Sequence, residues 1–221
     1  MIRAVIFDLD GTLIDSLTDL YLTMNRSMEH FGFPPQPDKD YHRRALGEGS
    51  REYLKACLPP DKREDEALVD RCLDQYRKFY VDNPCENTMP YAGIREVLTF
   101  LTEQGISMNV LSNKPDIPTK NFVKSRFPDF TFDFVYGDRP GVPRKPDPYV
   151  ALEIAESLGV LPVEVVFIGD SEADAITGQK AGMHVISALW GYRSKKELET
   201  CGAKLFAEKP QDIIQLIQDL Q

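Results

Sequence analysis

Apolar residues fall along this chain in two rhythms. Short unbroken runs stop at polar turns. These are Ala4-Val5-Ile6-Phe7, continued through Leu9 and ended by Asp10-Gly11; Met108-Asn109-Val110-Leu111, ended by Ser112-Asn113; Phe134-Val135-Tyr136, ended by Gly137-Asp138; and Val165-Val166-Phe167-Ile168, ended by Gly169-Asp170. Such runs predict strands buried on both faces. Between them lie stripes at helical spacing. One spans Ile94 to Gln104 with Ile94, Val97, Leu98 and Leu101 on one face, a second spans Ile117 to Phe127, and a third spans Pro148 to Leu158, with proline in the first turn and Gly159 at the stop. Strand and helix therefore alternate, as a parallel α/β sheet requires.

One stretch breaks the alternation. From about Ser16 to Asn83 the pattern is helical throughout, with one stripe of Leu17, Leu20, Tyr21, Met24, Met28 and Phe31 and another of Leu68, Val69, Cys72, Leu73, Tyr76, Phe79 and Tyr80. The division predicted is a core of residues 1–15 and 84–221 interrupted by a helical domain of residues 16–83. Turn chemistry marks its edges, with Gly11-Thr12 on entry and Asn83-Pro84, Met89-Pro90 and Ala92-Gly93 on exit, where a hinge can sit.

Composition narrows the partners. The 221 residues carry 26 Lys and Arg against 35 Asp and Glu, a net charge of −9, which repels a phosphate backbone and argues against nucleic acid as the main partner. A small anion remains open to the chain, because a local cluster of cations and N–H groups outweighs diffuse charge that salt screens over about 8–10 Å. The four cysteines, Cys57, Cys72, Cys85 and Cys201, form no CxxC pair and have no histidine at metal-ligand spacing. A reduced, cytoplasmic setting is expected. The first apolar run is too short for a signal-peptide core and far below the ~18 residues of a membrane span, so no membrane partner is expected. Oligomeric state leaves no trace in the pattern.

The chemistry is concentrated at strand ends. In an open parallel sheet ligands bind outside the carboxyl ends of the strands, and here those ends carry Asp8 and Asp10, Ser112 and Asn113, and Asp170. Any one polar residue there is an ordinary turn former. Asp8 and Asp10 are different, because two carboxylates two residues apart on a continuing strand share a face and repel. The pair calls for a cation. A magnesium ion held by a carboxylate, a backbone oxygen, waters and a further acid, Asp170 or Asp174, meets that need. An Asp-Gly turn accounts for Asp10 alone and leaves Asp8 as a buried charge costing several kcal/mol if unpaired.

These residues spell out a family. Asp8-Leu9-Asp10-Gly11-Thr12-Leu13-Ile14-Asp15-Ser16 resembles the first motif of the haloacid dehalogenase-like hydrolases, and Leu111-Ser112-Asn113-Lys114 resembles the second. Arg144-Lys145-Pro146-Asp147-Pro148 resembles the third, and Gly169-Asp170-Ser171-Glu172-Ala173-Asp174 followed by Ala181-Gly182-Met183 the fourth. All four occur in the family's order. The helical insertion is similar to the cap of the subgroup containing phosphoglycolate phosphatases and β-phosphoglucomutases. The resemblance implies a Rossmann-like parallel sheet core with helices on both faces and an inserted all-helical cap domain.

It also implies roles. Asp8 is the expected nucleophile, forming an aspartyl phosphate, and Asp10 the acid and base that serves the leaving oxygen and then the attacking water. Mg2+ is the expected cofactor, with Asp8, the Asp10 carbonyl and Asp170 as its ligands. Ser112, Asn113 and Lys145 are the expected phosphate-binding groups, and Asp174 orients metal-bound water or Lys145. Ser112-Asn113 also fits a plain helix cap, Asp174 a surface acid, and Lys114 either a substrate contact or a solvated side chain. In the cap, Gly47-Glu48-Gly49-Ser50 resembles the subgroup's specificity loop, although glycine there equally fits a helix stop. Arg43, Arg44 and Arg51 flank Gly47 and Gly49 and are candidate contacts for a substrate carboxylate or second phosphate; a solvated face fits each of them equally. Trp190-Gly191-Tyr192-Arg193 resembles the subgroup too, without a mechanism attached.

The implied activity is magnesium-dependent hydrolysis of a small phosphorylated metabolite, 2-phosphoglycolate first, then pyrophosphate, sugar phosphates and nucleotides. A phosphosugar mutase would use the same Asp8 and Asp10 and return the phosphoryl group to a sugar. Dehalogenases of the superfamily lack an acid at the position of Asp10, which argues against carbon–halogen chemistry. A catalytically silent binding protein would have lost the nucleophile or the acid, and neither is missing.

Overall fold

The computed structural model describes residues 1–83 and 85–221. They form two compact units, Met1–Ile14 with Pro90–Gln221, and Asp15–Met89. Pro84, at which the sequence reading resumes the core, lies outside the described residues. The chain opens with β1 (Ala4–Phe7) and the short β2 (Ile14–Asp15), and then runs through α1 (Leu17–His30), α2 (Lys39–Ala45), α3 (Ser50–Cys57) and α4 (Glu66–Asp82). After the short β3 (Met89–Pro90), which pairs with β2, come α5 (Ile94–Glu103), β4 (Ser107–Pro115), α6 (Asp116–Arg126), β5 (Phe134–Asp138) and α7 (Tyr149–Leu158). The last third holds β6 (Val165–Gly169), α8 (Glu172–Lys180), β7 (His184–Ala188), α9 (Lys195–Thr200), β8 (Leu205–Ala207) and α10 (Asp212–Asp219).

Six strands make one sheet in the order β5-β4-β1-β6-β7-β8, and each neighbouring pair is parallel. β1 lies between β4 and β6, which explains its unbroken apolar run, since every residue from Ala4 to Phe7 is fully buried. On one face Val150, Ala151, Ile154 and Ala155 of α7 pack against Ala4, Ile6, Leu111, Val165 and Phe167. α5 and α10 pack on each other, α5 against β4 and α10 against β8, burying Ile94, Val97, Leu98, Leu101, Ile213 and Ile217. Each fully buried large apolar side chain in these layers contributes about 1.5–3 kcal/mol to the stability of the core. The polar side chain within the apolar run of β4, Asn109, is satisfied. It donates to the Val5 carbonyl at 3.2 Å and accepts from the Phe134 N–H at 3.2 Å, stitching β4 to both neighbours.

The chain order places the chemistry. From β1 the chain moves outward to β4 and β5, then returns to the other side of β1 with β6 and moves outward again through β7 and β8. The direction reverses between β1 and β6. Such a switch point opens a crevice at the carboxyl ends of the two strands, and there stand Asp8 and Asp170.

The helical unit holds a separate core. α1 packs on α4, and α3 on α4, burying Leu20, Met24 and Met28 against a stripe that includes Leu68, Val69, Cys72, Leu73 and Tyr76. Two sets of its buried polar groups are paired. The Nε2 atom of His42 lies 2.8 Å from the Gln36 carbonyl and Nδ1 lies 2.6 Å from the Tyr53 hydroxyl. Burial lowers His42 from its ordinary value, which favours the neutral ring; because the Gln36 carbonyl only accepts, Nε2–H donates to it, and Nδ1 of the neutral ring accepts from the Tyr53 O–H. Asp19 accepts from Asn87 at 2.9 Å and from Thr88 at 2.7 Å. No helix among the described residues is long and apolar enough to cross a membrane.

Candidate active site

The carboxyl edge of the sheet gathers residues from four sequence regions. Asp8 follows β1, with its backbone N–H donating to the Ile168 carbonyl at 2.8 Å, so the ladder carries it to the level of the β6 terminus. Its Oδ1 lies 2.8 Å from Lys145 Nζ. The approach makes an ion pair but supplies no directed hydrogen bond to that buried oxygen. An oxygen left so is costly unless a ligand or cation completes it.

Lys145 is itself buried and bridges two acids, with Nζ donating to Asp174 Oδ1 at 2.6 Å. Burial alone would lower the lysine, but the Asp174 and Asp8 carboxylates outweigh it and hold the ammonium above its ordinary value. Asp174 is fixed from the other side. Its Oδ2 accepts from the Ser171 N–H at 2.9 Å and hydroxyl at 2.6 Å, a reciprocal cap that starts α8 and aims the acid back at the sheet edge. The side chain is 1% exposed, which removes the surface-acid reading.

Asp170 completes the acidic group. One oxygen from each of Asp8, Asp170 and Asp174 lie within 4.8 Å of one another. Desolvation, then the neighbouring carboxylates, push Asp8 up to about 7 and Asp170 well above its ordinary value. Three buried acids facing one ammonium carry more negative charge than the site neutralises. A divalent cation is the group this donor set fits, since hard cations take carboxylate oxygens at about 2.0–2.6 Å.

Asp170 is held by groups that its own sequence neighbourhood does not announce. Oδ1 accepts from the Thr12 hydroxyl at 2.9 Å and Oδ2 from the Tyr192 N–H at 2.7 Å. Two glycines leave it room, because a Cβ at Gly11 or at Gly191 would run into its carboxylate. Gly11 also sits at φ +87°, where a side chain is strained. Trp190 closes the ring, its Nε1–H donating to the Thr12 carbonyl at 3.1 Å. The Trp190–Tyr192 segment thus acquires a role: it fixes Asp170.

Ser112, Asn113 and Lys114 end the run on β4, inside the strand. They do not cap α6, whose capping position is Pro115. The Ser112 Oγ accepts from the Lys114 N–H at 3.2 Å, and Asn113 Nδ2 donates to the Lys145 carbonyl at 3.1 Å, tying the second motif to the third. Asp10 forms a bridge with Ile14 beyond the end of β1. Its carboxylate faces Lys114 Nζ at 2.9 and 3.1 Å. Lys114 is therefore neither solvated nor open to solvent, being 8% exposed.

The candidates in the helical unit occupy its α2–α3 turn. Gly47 and Gly49 hold positive φ of 117° and 92°, which the break between the two helices requires. Arg43 Nε donates to Asp40 at 2.8 Å, Arg44 pairs with the same acid at 2.6 Å, and Arg51 pairs with Glu66 and Asp70. Each of the three arginines thus has an acidic partner on its own unit.

A Rossmann-like parallel sheet with acids at its switch point, a lysine bridging two of them and a helical insertion after the first strand define a class. The sequence profile of the haloacid dehalogenase-like hydrolases matches residues 5–188, and the chain belongs to that family. It is similar to the phosphoglycolate phosphatase of Aquifex aeolicus, 31% identical over 217 residues that make up 98% of this chain and 97% of that one. It is also 31% identical to that of Rhodospirillum rubrum, over 92% of this chain and 86% of the other. Among solved structures, a candidate phosphoglycolate phosphatase from Lactobacillus delbrueckii subsp. bulgaricus has a TM-score of 0.89 at 29% identity, covering 97% and 98% of the two chains. The fold alone is shared with a β-phosphoglucomutase from Clostridium difficile, with a TM-score of 0.79 at 21% identity over 100% of this chain and 97% of that one.

Proposed function

We propose that this hydrolase is a magnesium-dependent phosphatase acting on a small phosphorylated metabolite, with 2-phosphoglycolate as the leading substrate. The observation that carries the reading is the buried Asp8 Oδ1 without a hydrogen-bond donor, among acids that one ammonium does not neutralise. The substrate comes from the name shared by relatives matched over nearly the whole chain.

In this reading an Asp8 oxygen attacks phosphorus as the bond to the leaving oxygen breaks, and Asp10 gives that oxygen its proton. An aspartyl phosphate and a free alcohol result. Asp10, now ionised, takes a proton from water as the water oxygen attacks phosphorus, and Asp8 is released with inorganic phosphate. Ser112 and the Asn113 N–H hold the phosphoryl oxygens, and Lys145 offsets charge on Asp8 and on the transferring group. Magnesium, when bound, would be held by Asp8, the Asp10 carbonyl and Asp170, and would shield Asp8 from the phosphoryl charge. Asp174 fixes Lys145. The helical unit acts as a cap, with Arg43, Gly47 and Gly49 contributing to specificity.

The test is phosphate release from 2-phosphoglycolate, with magnesium or EDTA, beside pyrophosphate, hexose phosphates and nucleotides. The reading expects 2-phosphoglycolate to lead the panel in kcat/KM by at least about a hundredfold and EDTA to abolish turnover. Glucose 6-phosphate formed from β-glucose 1-phosphate with little free phosphate would replace it with a mutase.

A further inference from the structure

Among the described residues two lysines are buried, and they face different acids. Lys145 serves Asp8 and Asp174, while Lys114 serves Asp10. A lysine is almost never buried without a partner, and desolvating one at a fixed place is worthwhile only where its charge is needed there. Lys114 is fixed along its length. It stands on β4 two residues after Ser112, its N–H bonded to that serine's Oγ, and its Nζ lies 5.0 Å from the centre of the Phe122 ring of α6. From there Nζ reaches Asp10 Oδ2 at 2.9 Å and Oδ1 at 3.1 Å. One ammonium within reach of both oxygens restrains the carboxyl's rotation and sets its plane, and when Asp10 takes up the proton it will donate on one oxygen, the other keeps the lysine's hydrogen bond.

We propose that Lys114 is a positioning residue for Asp10, fixing the carboxyl that hands its proton to the leaving oxygen, and that it acts through Asp10 and not by binding the phosphoryl group. The inference rests on the reading of Asp10 as the general acid. That role gives it a signature. As the phosphorus–oxygen bond breaks, an alkoxide leaving group must take the proton from Asp10, whereas a 4-nitrophenolate departs without it. Loss of a well-placed acid therefore slows alkyl phosphates far more than activated aryl phosphates. Damage to folding or to phosphoryl binding slows both alike.

The experiment compares kcat/KM for 2-phosphoglycolate and for a series of aryl phosphates ending in 4-nitrophenyl phosphate, which reports the phosphoryl-transfer step. The enzymes are the parent, Lys114→Met, Lys114→Gln and Asp10→Asn, each checked by circular dichroism and thermal unfolding. Lys114→Met is expected to lose about a hundredfold on 2-phosphoglycolate and no more than about fivefold on 4-nitrophenyl phosphate, in the same direction as Asp10→Asn. Lys114→Gln, which keeps a donor, is expected to fall between; it carries the test if the methionine variant does not fold. An equal loss on every substrate, or a raised KM with kcat unchanged, overturns the proposal. If Asp10→Asn itself loses equally on all substrates, the acid reading of Asp10 fails and takes this inference with it. If only the lysine variants lack the leaving-group signature, the Asp10 reading stands and Lys114 alone is misassigned.

Discussion

Two buried polar networks, one in each unit, are built in opposite ways. In the helical unit His42, Tyr53, Asp19, Asn87 and Thr88 satisfy one another, and the charged side chains Arg51, Glu66, Lys55 and Asp70 pair near the surface. At the carboxyl edge of the sheet, Asp8, Asp170 and Asp174 crowd together in the interior, and Asp8 keeps an oxygen with no hydrogen-bond donor. A network that closes on itself stabilises a fold. One that leaves a buried charge incomplete costs stability and is kept for something that arrives later. The contrast separates structure from function without reference to any relative.

Asp8→Asn puts that contrast to its hardest test. It removes one of the crowded charges while keeping shape, so turnover is expected to fall by at least about a thousandfold. Thermal stability without metal is expected to hold or rise, because repulsion with Asp174 and Asp170 is relieved. Phosphate release and a melting curve decide the matter together. A variant that keeps turnover, or that unfolds, would make Asp8 an ordinary structural acid.

The same crowding has a pH signature. In the metal-free protein Asp8 titrates near 7, whereas in the unfolded chain it titrates as an ordinary carboxyl. Between those values the folded state holds a proton that the unfolded state has lost, so the stability this group contributes is present at low pH and lost as pH rises through about 7. Urea midpoints in EDTA should therefore fall from about pH 5 to about pH 8, and the slope should flatten in Asp8→Asn. Magnesium should flatten it in the parent, since a cation stabilises the ionised form. A parallel slope in all three samples would remove the acid cluster as its cause.

How much of this was readable from residue order differs between the two regions. Strand β1 announces itself by four buried apolar residues and a carboxylate at the end, and β6 by the same pattern, so Asp8 and Asp170 stand out. β7 and β8 did not. His184-Val185-Ile186-Ser187-Ala188 is punctuated by polar residues, and Leu205–Ala207 is three residues long, too short to carry a period. The groups that hold Asp170 were hidden for another reason. Thr12, Gly191 and Tyr192 reach it only because β1 and β7 flank β6, and adjacency in a sheet is not written in any local pattern. Residue order alone fits Lys114 to substrate or to solvent, because its partner Asp10 follows β1 and meets it only through the separate pairing of β1 with β4.

Gly191 turns that hidden contact into a prediction of intermediate size. A Cβ there would collide with Asp170, so Gly191→Ala must push the carboxylate aside or shift the Trp190–Tyr192 segment that holds it. Metal affinity is expected to weaken about tenfold to a hundredfold, the usual range for losing a group that orients a ligand. Magnesium titration followed by activity, and by Tm measured with and without magnesium in parent and variant, checks it. Unchanged affinity would mean that Asp170 is free to relocate and that the glycine serves only the turn.

The smallest effect belongs to the unit whose network is closed. Tyr53→Phe deletes the O–H that His42 Nδ1 accepts and leaves the Nε2–H bond to Gln36 in place. Among the described residues the ring nitrogen then keeps only the Cys57 thiol, a weak donor 3.8 Å away, so the loss costs about 1–3 kcal/mol. For a chain of this size that corresponds to roughly 2–10 °C in Tm. Because the lost bond lies within the helical unit, the pH slope in EDTA and the magnesium affinity should match the parent. If they moved with Tm, the buried polar groups of the two regions would be energetically linked, and the division between a closed network and an incomplete one would have to be drawn elsewhere.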